Sequence, residues 1–333
     1  MKNNLNRREF IIKTALGSLA MVHGFHNKIF AMPFIEDKVN KLSTTSVAKI
    51  ALHKTTDRKY GVKTVMELME YPAMKNKHVI VKPNFNTADP APASTHNDTL
   101  SQLIIEIKNR KASEITLAER TYQSFDEVIS EKNIQEMSKA LGFKIQNLDL
   151  DEYTVFNRDG LHWKNGFRLP NIINNAEYLV TTSCLKTHFK GVITMSLKLS
   201  VGIIPTLHMK ELHSSKNINS MIAEINLAYE PDLIVMDGVK TFISGGPSRG
   251  TVADGNVVLA GSDRIALDAV GTAILIELGT NKIKRGHIFE LEQIRRAVEL
   301  GIGIDSPDKI EFITVDDESQ AYAEKIKAIL MDG

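Results

Sequence analysis

Apolar positions along this chain switch repeatedly between a period of two and a period near 3.6 residues, the two signatures of strand and helix. "VAKIALH", from residue 47, reads as a strand. "GVKTVMELMEYPAM" then places Val62, Val65, Met66 and Met69 on one helical face. "KHVIVKPN" predicts a second strand, and "TLSQLIIEIKNR" a helix whose Leu100, Leu103, Ile104 and Ile107 recur at helical spacing, with Asn97 or Asp98 as its cap. "SEITLAER" is a further strand, "SEKNIQEMSKALGF" a helical pattern and "KIQNLDL" a short strand.

The rhythm breaks at "YTVFNRDGLHWKNGFRLP", where apolar and polar residues alternate around Asp159-Gly160 and Asn165-Gly166, two hairpin signals. It resumes with strand "AEYLVTTSCL", a helical region, helix "SMIAEINLAYE" and strand "DLIVMDG". A glycine-rich loop, strand "NVVLAG", helix "SDRIALDAVGTAILIEL", helix "LEQIRRAVEL", strand "KIEFITVD" and a last amphipathic helix follow. Strands separated by helices predict one α/β domain over 47–333: a mostly parallel sheet with helices on both faces and an antiparallel hairpin insertion.

In an open sheet of this kind, ligands bind beyond the carboxyl ends of the strands. Five predicted strands end in chemistry-bearing groups. They are Lys82, Pro83 and Asn84; Glu119 and Arg120; Lys186, Thr187 and His188; Asp237 and Gly238; and Gly261, Ser262 and Asp263. Each ending alone is what any strand shows on leaving a core, but parallel strands bring their ends to one edge.

Within "CLKTHFKG", Lys186 is a candidate anchor for phosphate or carboxylate, and His188 a candidate general base or metal ligand; a solvated cationic loop is the other reading. Lys198, in the apolar stretch "MSLKLSVG", either snorkels to solvent or faces the site, paired with substrate or with Asp237. In "MDGVKTFISGGPSRGT", Gly245 and Gly246 permit close backbone approach, and consecutive N–H groups there are candidates for an anion-binding nest, although the P-loop pattern is absent. Asp237 is the candidate carboxylate for a divalent metal or for orienting a histidine; Asp263 is either a further metal ligand or a charge favourable near the dipole of a helix capped by Ser262. Asp268 sits among apolar neighbours and needs a partner if buried. His208 and His213 are five apart, which does not suit a helical zinc pair; they read as a surface loop, with His208 able to act as a lid.

Composition narrows the classes. Lys and Arg total 41 against 40 Asp and Glu, so nothing general favours nucleic acid as a partner. A single cysteine, Cys184, excludes a cysteine-ligated iron–sulfur cluster held by this chain alone. The N-terminus pairs Arg7 and Arg8 with Phe10, Ile11 and Lys13 ahead of a weakly apolar run, the layout of a twin-arginine export signal. This predicts a signal over 1–31, a linker over 32–46, contact with the twin-arginine translocase and a periplasmic or otherwise exported product. The run is too short for a stable transmembrane anchor after cleavage.

"VKPNFN", "LKTHFKGVITMSLKLSVG", "MDGVKTFISGGPSRGT" and "LAGSDRIALDAVG", in this order and spacing, resemble the bacterial domain of unknown function 362 family, from about Lys49 into the C-terminal third. The resemblance implies an exported α/β protein; many members carry ferredoxin-like clusters or a four-cysteine module, which this chain lacks. The lysine of the family's lysine–asparagine pair matches Lys198, but Leu199 follows it.

The reading that emerges is an enzyme acting on a small anionic substrate, with a divalent metal as candidate cofactor. Lys82, Asn84, Lys198, Gly245 and Gly246 would bind substrate, Lys186, His188 and Asp237 would be catalytic, and His188, Asp237 and Asp263 would be the metal set. The alternatives are a non-catalytic carrier for an anionic ligand or cofactor, and a redox accessory protein that docks a ferredoxin-like partner.

Overall fold

The computed structural model describes residues 47–332, so the export signal and linker expected over 1–46 lie outside the described residues. The main sheet contains ten strands, in the path β12-β1-β11-β9-β7-β2-β3-β4. The strands on this path are β1 (Ala48–Lys54), β2 (His78–Lys82), β3 (Glu114–Glu119), β4 (Lys144–Asn147), β7 (Tyr178–His188), β9 (Leu233–Gly245), β11 (Val257–Gly261) and β12 (Ile310–Ile313). Two short strands extend the sheet: β8 (Val192–Thr194) pairs with the end of β7, and β10 (Gly250–Asp254) with the end of β9.

The hairpin insertion is present as a separate antiparallel pair, β5 (Tyr153–Phe156) with β6 (Phe167–Pro170). Gly166 takes a φ of 67° beside the Phe156 carbonyl, a conformation and an approach that a side chain would block.

Each central strand feeds two cores by its alternation. Val79 and Val81 pack on one side and Ile80 on the other; Val235 and Met236 divide in the same way, as do Val258 and Leu259. One core is closed by helices Arg58–Leu68 and Asn97–Asn109. The other is closed by helices Ile218–Ile225, Arg264–Glu277, Glu292–Glu299 and Asp317–Met331. A sheet buried on both faces explains why β7 is buried at all eleven positions.

Three local expectations change. The strand expected to stop near Leu185 continues through Lys186, Thr187 and His188, because β8 turns back and supplies partners for them. Helix Asn97–Asn109 is capped by His96, whose Nδ1 accepts from the Asp98 amide at 3.1 Å. Strand β11 runs antiparallel to both β1 and β9, so its carboxyl end lies at the edge opposite the ends of β2, β3, β7 and β9.

Candidate functional site

Strands β2 and β3 end in a buried ion pair. Lys82 Nζ and Glu119 Oε1 are 2.5 Å apart, each side chain 1% exposed. Glu119 also accepts from the Phe85 and Arg120 amides at 2.8 Å, and Lys82 donates to the Pro83 carbonyl at 2.7 Å. Burial pushes the Glu119 carboxyl up and the Lys82 ammonium down, so each charge depends on the other. Gly202 passes over the pair; a Cβ there would crowd Lys82 Nζ at 2.9 Å.

The extension of β7 supplies the next two groups. Lys186 reaches across to donate to the carbonyls of Ala93 and Pro247, the latter at 3.1 Å, and burial lowers its pKa. His188 turns Nδ1 toward the tight β7–β8 turn, where it accepts from the Lys190 and Gly191 amides at 3.0 and 2.9 Å. Two donors on Nδ1 place the proton of the neutral ring on Nε2. Burial, then the charges of Lys198 and Lys186, push the His188 pKa down to about 2. The ring is therefore neutral across the physiological range and offers an N–H rather than a lone pair. Its face stacks on Phe189, with centroids 5.0 Å apart.

Lys198 comes from the short helix Ser196–Leu199. Among the described residues it has no hydrogen-bond or ion-pair partner. Burial, reinforced by Lys186 and Arg120, lowers its pKa to about 8. The helix is anchored by Asp268, fully buried in helix Arg264–Glu277, which accepts from the Ser196 and Leu197 amides at 2.7 and 3.0 Å. This is the partner that the apolar surroundings of Asp268 demand. Burial raises its pKa to about 7.

Apart from Asp268, these groups line one cavity of about 560 Å³ at the carboxyl edge of β2, β3 and β7. Five cations (Lys82, Arg120, Lys186, Lys190 and Lys198) face one carboxylate, Glu119. In the same lining residues, Asn84 Nδ2, Arg120 Nε and Thr194 Oγ1 are buried polar atoms without a partner. All three are sealed from solvent, so they lie behind the cavity surface rather than on it; the lining itself carries an excess of cationic groups.

Lys82, Asn84, Lys186, His188 and Lys198 are thus brought together. Glu119, Arg120 and Thr194 join them without having been singled out as site residues. The sequence signal for the first two was present in the ending of "SEITLAER"; Thr194 had none.

The remaining candidates go elsewhere. Asp237 shares the side of β9 that carries Val235 and Val239. There it accepts from Arg58 Nε at 2.8 Å, Thr99 Oγ1 at 2.7 Å and the Val239 amide at 3.0 Å, tying β9 to the N-terminal ends of two helices. Asp263 caps helix Arg264–Glu277 through the Ala266 amide and also accepts from the Ile304 amide, both at 2.8 Å. It sits at the opposite sheet edge because β11 is antiparallel. The expected metal set of His188, Asp237 and Asp263 is not assembled, and among the described residues no group of three or more His, Cys, Asp or Glu side chains is placed to hold a metal.

Gly245 and Gly246 do not form an anion nest at this cavity. The Gly246 amide is spent on the Arg249 carbonyl at 2.7 Å, and a Cβ at Gly246 would collide with the Thr187 carbonyl. These glycines let the loop lie flat on the end of β7, which brings Pro247 and Ser248 to the rim. His213 reaches the lining, whereas His208 is committed to the Arg168 amide at 2.9 Å. Cys184 is buried, and burial raises its pKa.

Comparison with known proteins agrees with the sequence resemblance. Residues 79–273 match the family described as Domain of unknown function (DUF362). The chain belongs to this family. The match spans β2 through helix Arg264–Glu277, and so includes every residue of the cavity named above. A thylakoid-associated protein of Synechocystis sp. is 29% identical over 116 residues, 33% of this chain. The aligned part spans 36% of that relative's length. The lactate racemase apoprotein of Thermoanaerobacterium thermosaccharolyticum superposes with a TM-score of 0.35 at 12% identity, covering 66% of this chain and 54% of that one.

Proposed function

We propose that this member of the family is an exported enzyme that binds an organic anion at the strand-end cavity and transfers a proton with Lys198. The observation that carries the reading is Lys198 itself: an ammonium without a partner, held near a pKa of 8 by burial and by the charges of Lys186 and Arg120, on the lining of the cavity. A lysine so lowered is partly neutral near neutral pH and serves as a base, while its protonated form attracts the substrate.

The other groups divide the remaining work. Lys186 and Arg120 hold the anionic group. The Nε2–H of His188 donates to the oxygen that gains charge as the proton leaves, as a neutral imidazole does better than a base would. The Lys82–Glu119 pair keeps the floor of the cavity in register. This revises the roles expected from sequence, in which His188 was the base.

Export is supported by the Arg7-Arg8 layout and by a relative named as thylakoid-associated. Among the described residues no helix is long and apolar enough to cross a membrane.

The test is proton exchange. Full-length protein in deuterium oxide would be incubated with short carboxylates bearing an acidic C–H, and deuterium incorporation read by NMR. Incorporation that disappears in Lys198→Met supports the reading; binding of such anions without exchange by wild type would leave a carrier, and absence of binding would end the proposal.

A further inference from the structure

The cavity is much larger than its cationic floor requires. A carboxylate or phosphate group fills a small fraction of about 560 Å³, a volume in the range of pockets that enclose whole organic ligands. The surplus is not polar. Leu199, Val201 and Met209 contribute apolar surface to the lining.

The mouth is marked by two aromatic rings, Tyr122 at 82% and Phe189 at 67% exposure. Both belong to the same cavity lining, although neither is needed by the core. Large aromatics left this open lose burial energy unless something covers them. Phe189 is also oriented by more than its own loop: its inner face stacks on His188 at an interplanar angle of 16°, which leaves the outer face for a further planar group.

We infer that the ligand is an aromatic organic anion, a planar ring bearing a carboxylate or phosphate, with the charged group among Lys186, Arg120 and Lys198 and the ring against Phe189 and Tyr122. This rests on the anion-site reading above and adds the chemical class of the ligand. A simple inorganic anion would use the floor and leave the apolar walls and both rings uncovered. A ring without a charge would cover them and leave the excess of cations on the lining uncompensated. Only a molecule with both parts matches the whole lining.

The experiment compares matched probes by calorimetric titration of the full-length protein. Phenyl phosphate is set against methyl phosphate, phenylacetate against acetate, and benzyl alcohol serves as the uncharged ring. The ringed anions are expected to bind about tenfold tighter than their methyl counterparts, the size of effect that a stacked, half-covered ring supplies. In Phe189→Ala, and again in Tyr122→Ala, that preference should fall toward one; both side chains are exposed, so neither change threatens the fold. Which pair binds more tightly assigns carboxylate or phosphate. Equal affinity with and without the ring would overturn the inference while leaving the anion site standing. Benzyl alcohol binding as tightly as the ringed anions would overturn it from the other side. Failure of every anion to bind would remove the anion site and this inference together.

Discussion

Lys198 and His188 lie in one cavity, yet their surroundings push them to opposite uses. Lys198 has no partner and titrates near 8; His188 has two donors on Nδ1 and stays neutral. Holding a partly buried, unpaired ammonium near Lys186 and Arg120 costs stability while the charge persists. Between the folded value near 8 and the ordinary value of 10.5, the unfolded chain binds more protons than the folded one, so stability rises with pH across that window. Lys198→Met should remove this rise, as thermal melts at pH 7 and pH 10 would read, and should weaken anion binding at pH 7 by about tenfold or more. For His188→Ala we expect a different penalty: the buried Gly191 amide and the part-buried Lys190 amide lose their shared acceptor, a loss of about 1–3 kcal/mol in denaturant unfolding. A variant as stable as wild type would show that the turn finds another acceptor.

At the scale of elements, the decisive feature is the direction of each strand. The endings of β2, β3 and β7 were legible because a run such as "YLVTTSCLKTH" must be buried on both faces until it reaches its charged end. The antiparallel sense of β11 was not legible, because "VVLAG" reads the same in either direction; that single reversal moves Asp263 to the far edge. Asp237 misleads for another reason. It does end a parallel segment, but alternation turns it toward Arg58 and Thr99 rather than toward the cavity. Thr194 could not be found, since its place depends on β8 folding back on β7. The position of Lys198 is set in turn by Asp268, which holds helix Ser196–Leu199 by its first two amides. With its pKa raised to about 7, Asp268 keeps its proton in the folded state where the unfolded chain, near 3.8, has lost it. Stability therefore falls as pH rises from about 4 to 7. Asp268→Asn should flatten that part of the profile by a few kcal/mol at most, and it should also lower turnover more than binding, because the short helix loses one of the two oxygens that accept from its first amides. A profile unchanged from wild type would contradict the buried carboxyl.

For the whole molecule, the notable quantity is where charge is placed. The chain as a whole is nearly neutral at +1, yet one cavity holds five cations against a single carboxylate. On the proposed function, an anionic ligand would offset that concentration. On the proposed twin-arginine route, the protein would leave the cytoplasm already folded. Replacing Arg7 and Arg8 by lysine should retain the full chain in the cytoplasmic fraction, and unchanged fractionation would speak against that route.

The most direct test of the anion site is the affinity of full-length wild type and Lys198→Met for phenylacetate, a ligand whose own charge is constant from about pH 6 to 10. Wild-type affinity should fall about tenfold as pH rises through 8 and Lys198 loses its proton, with no such inflection in Lys198→Met. The same pH profile in both proteins, or no binding in either, would contradict the account.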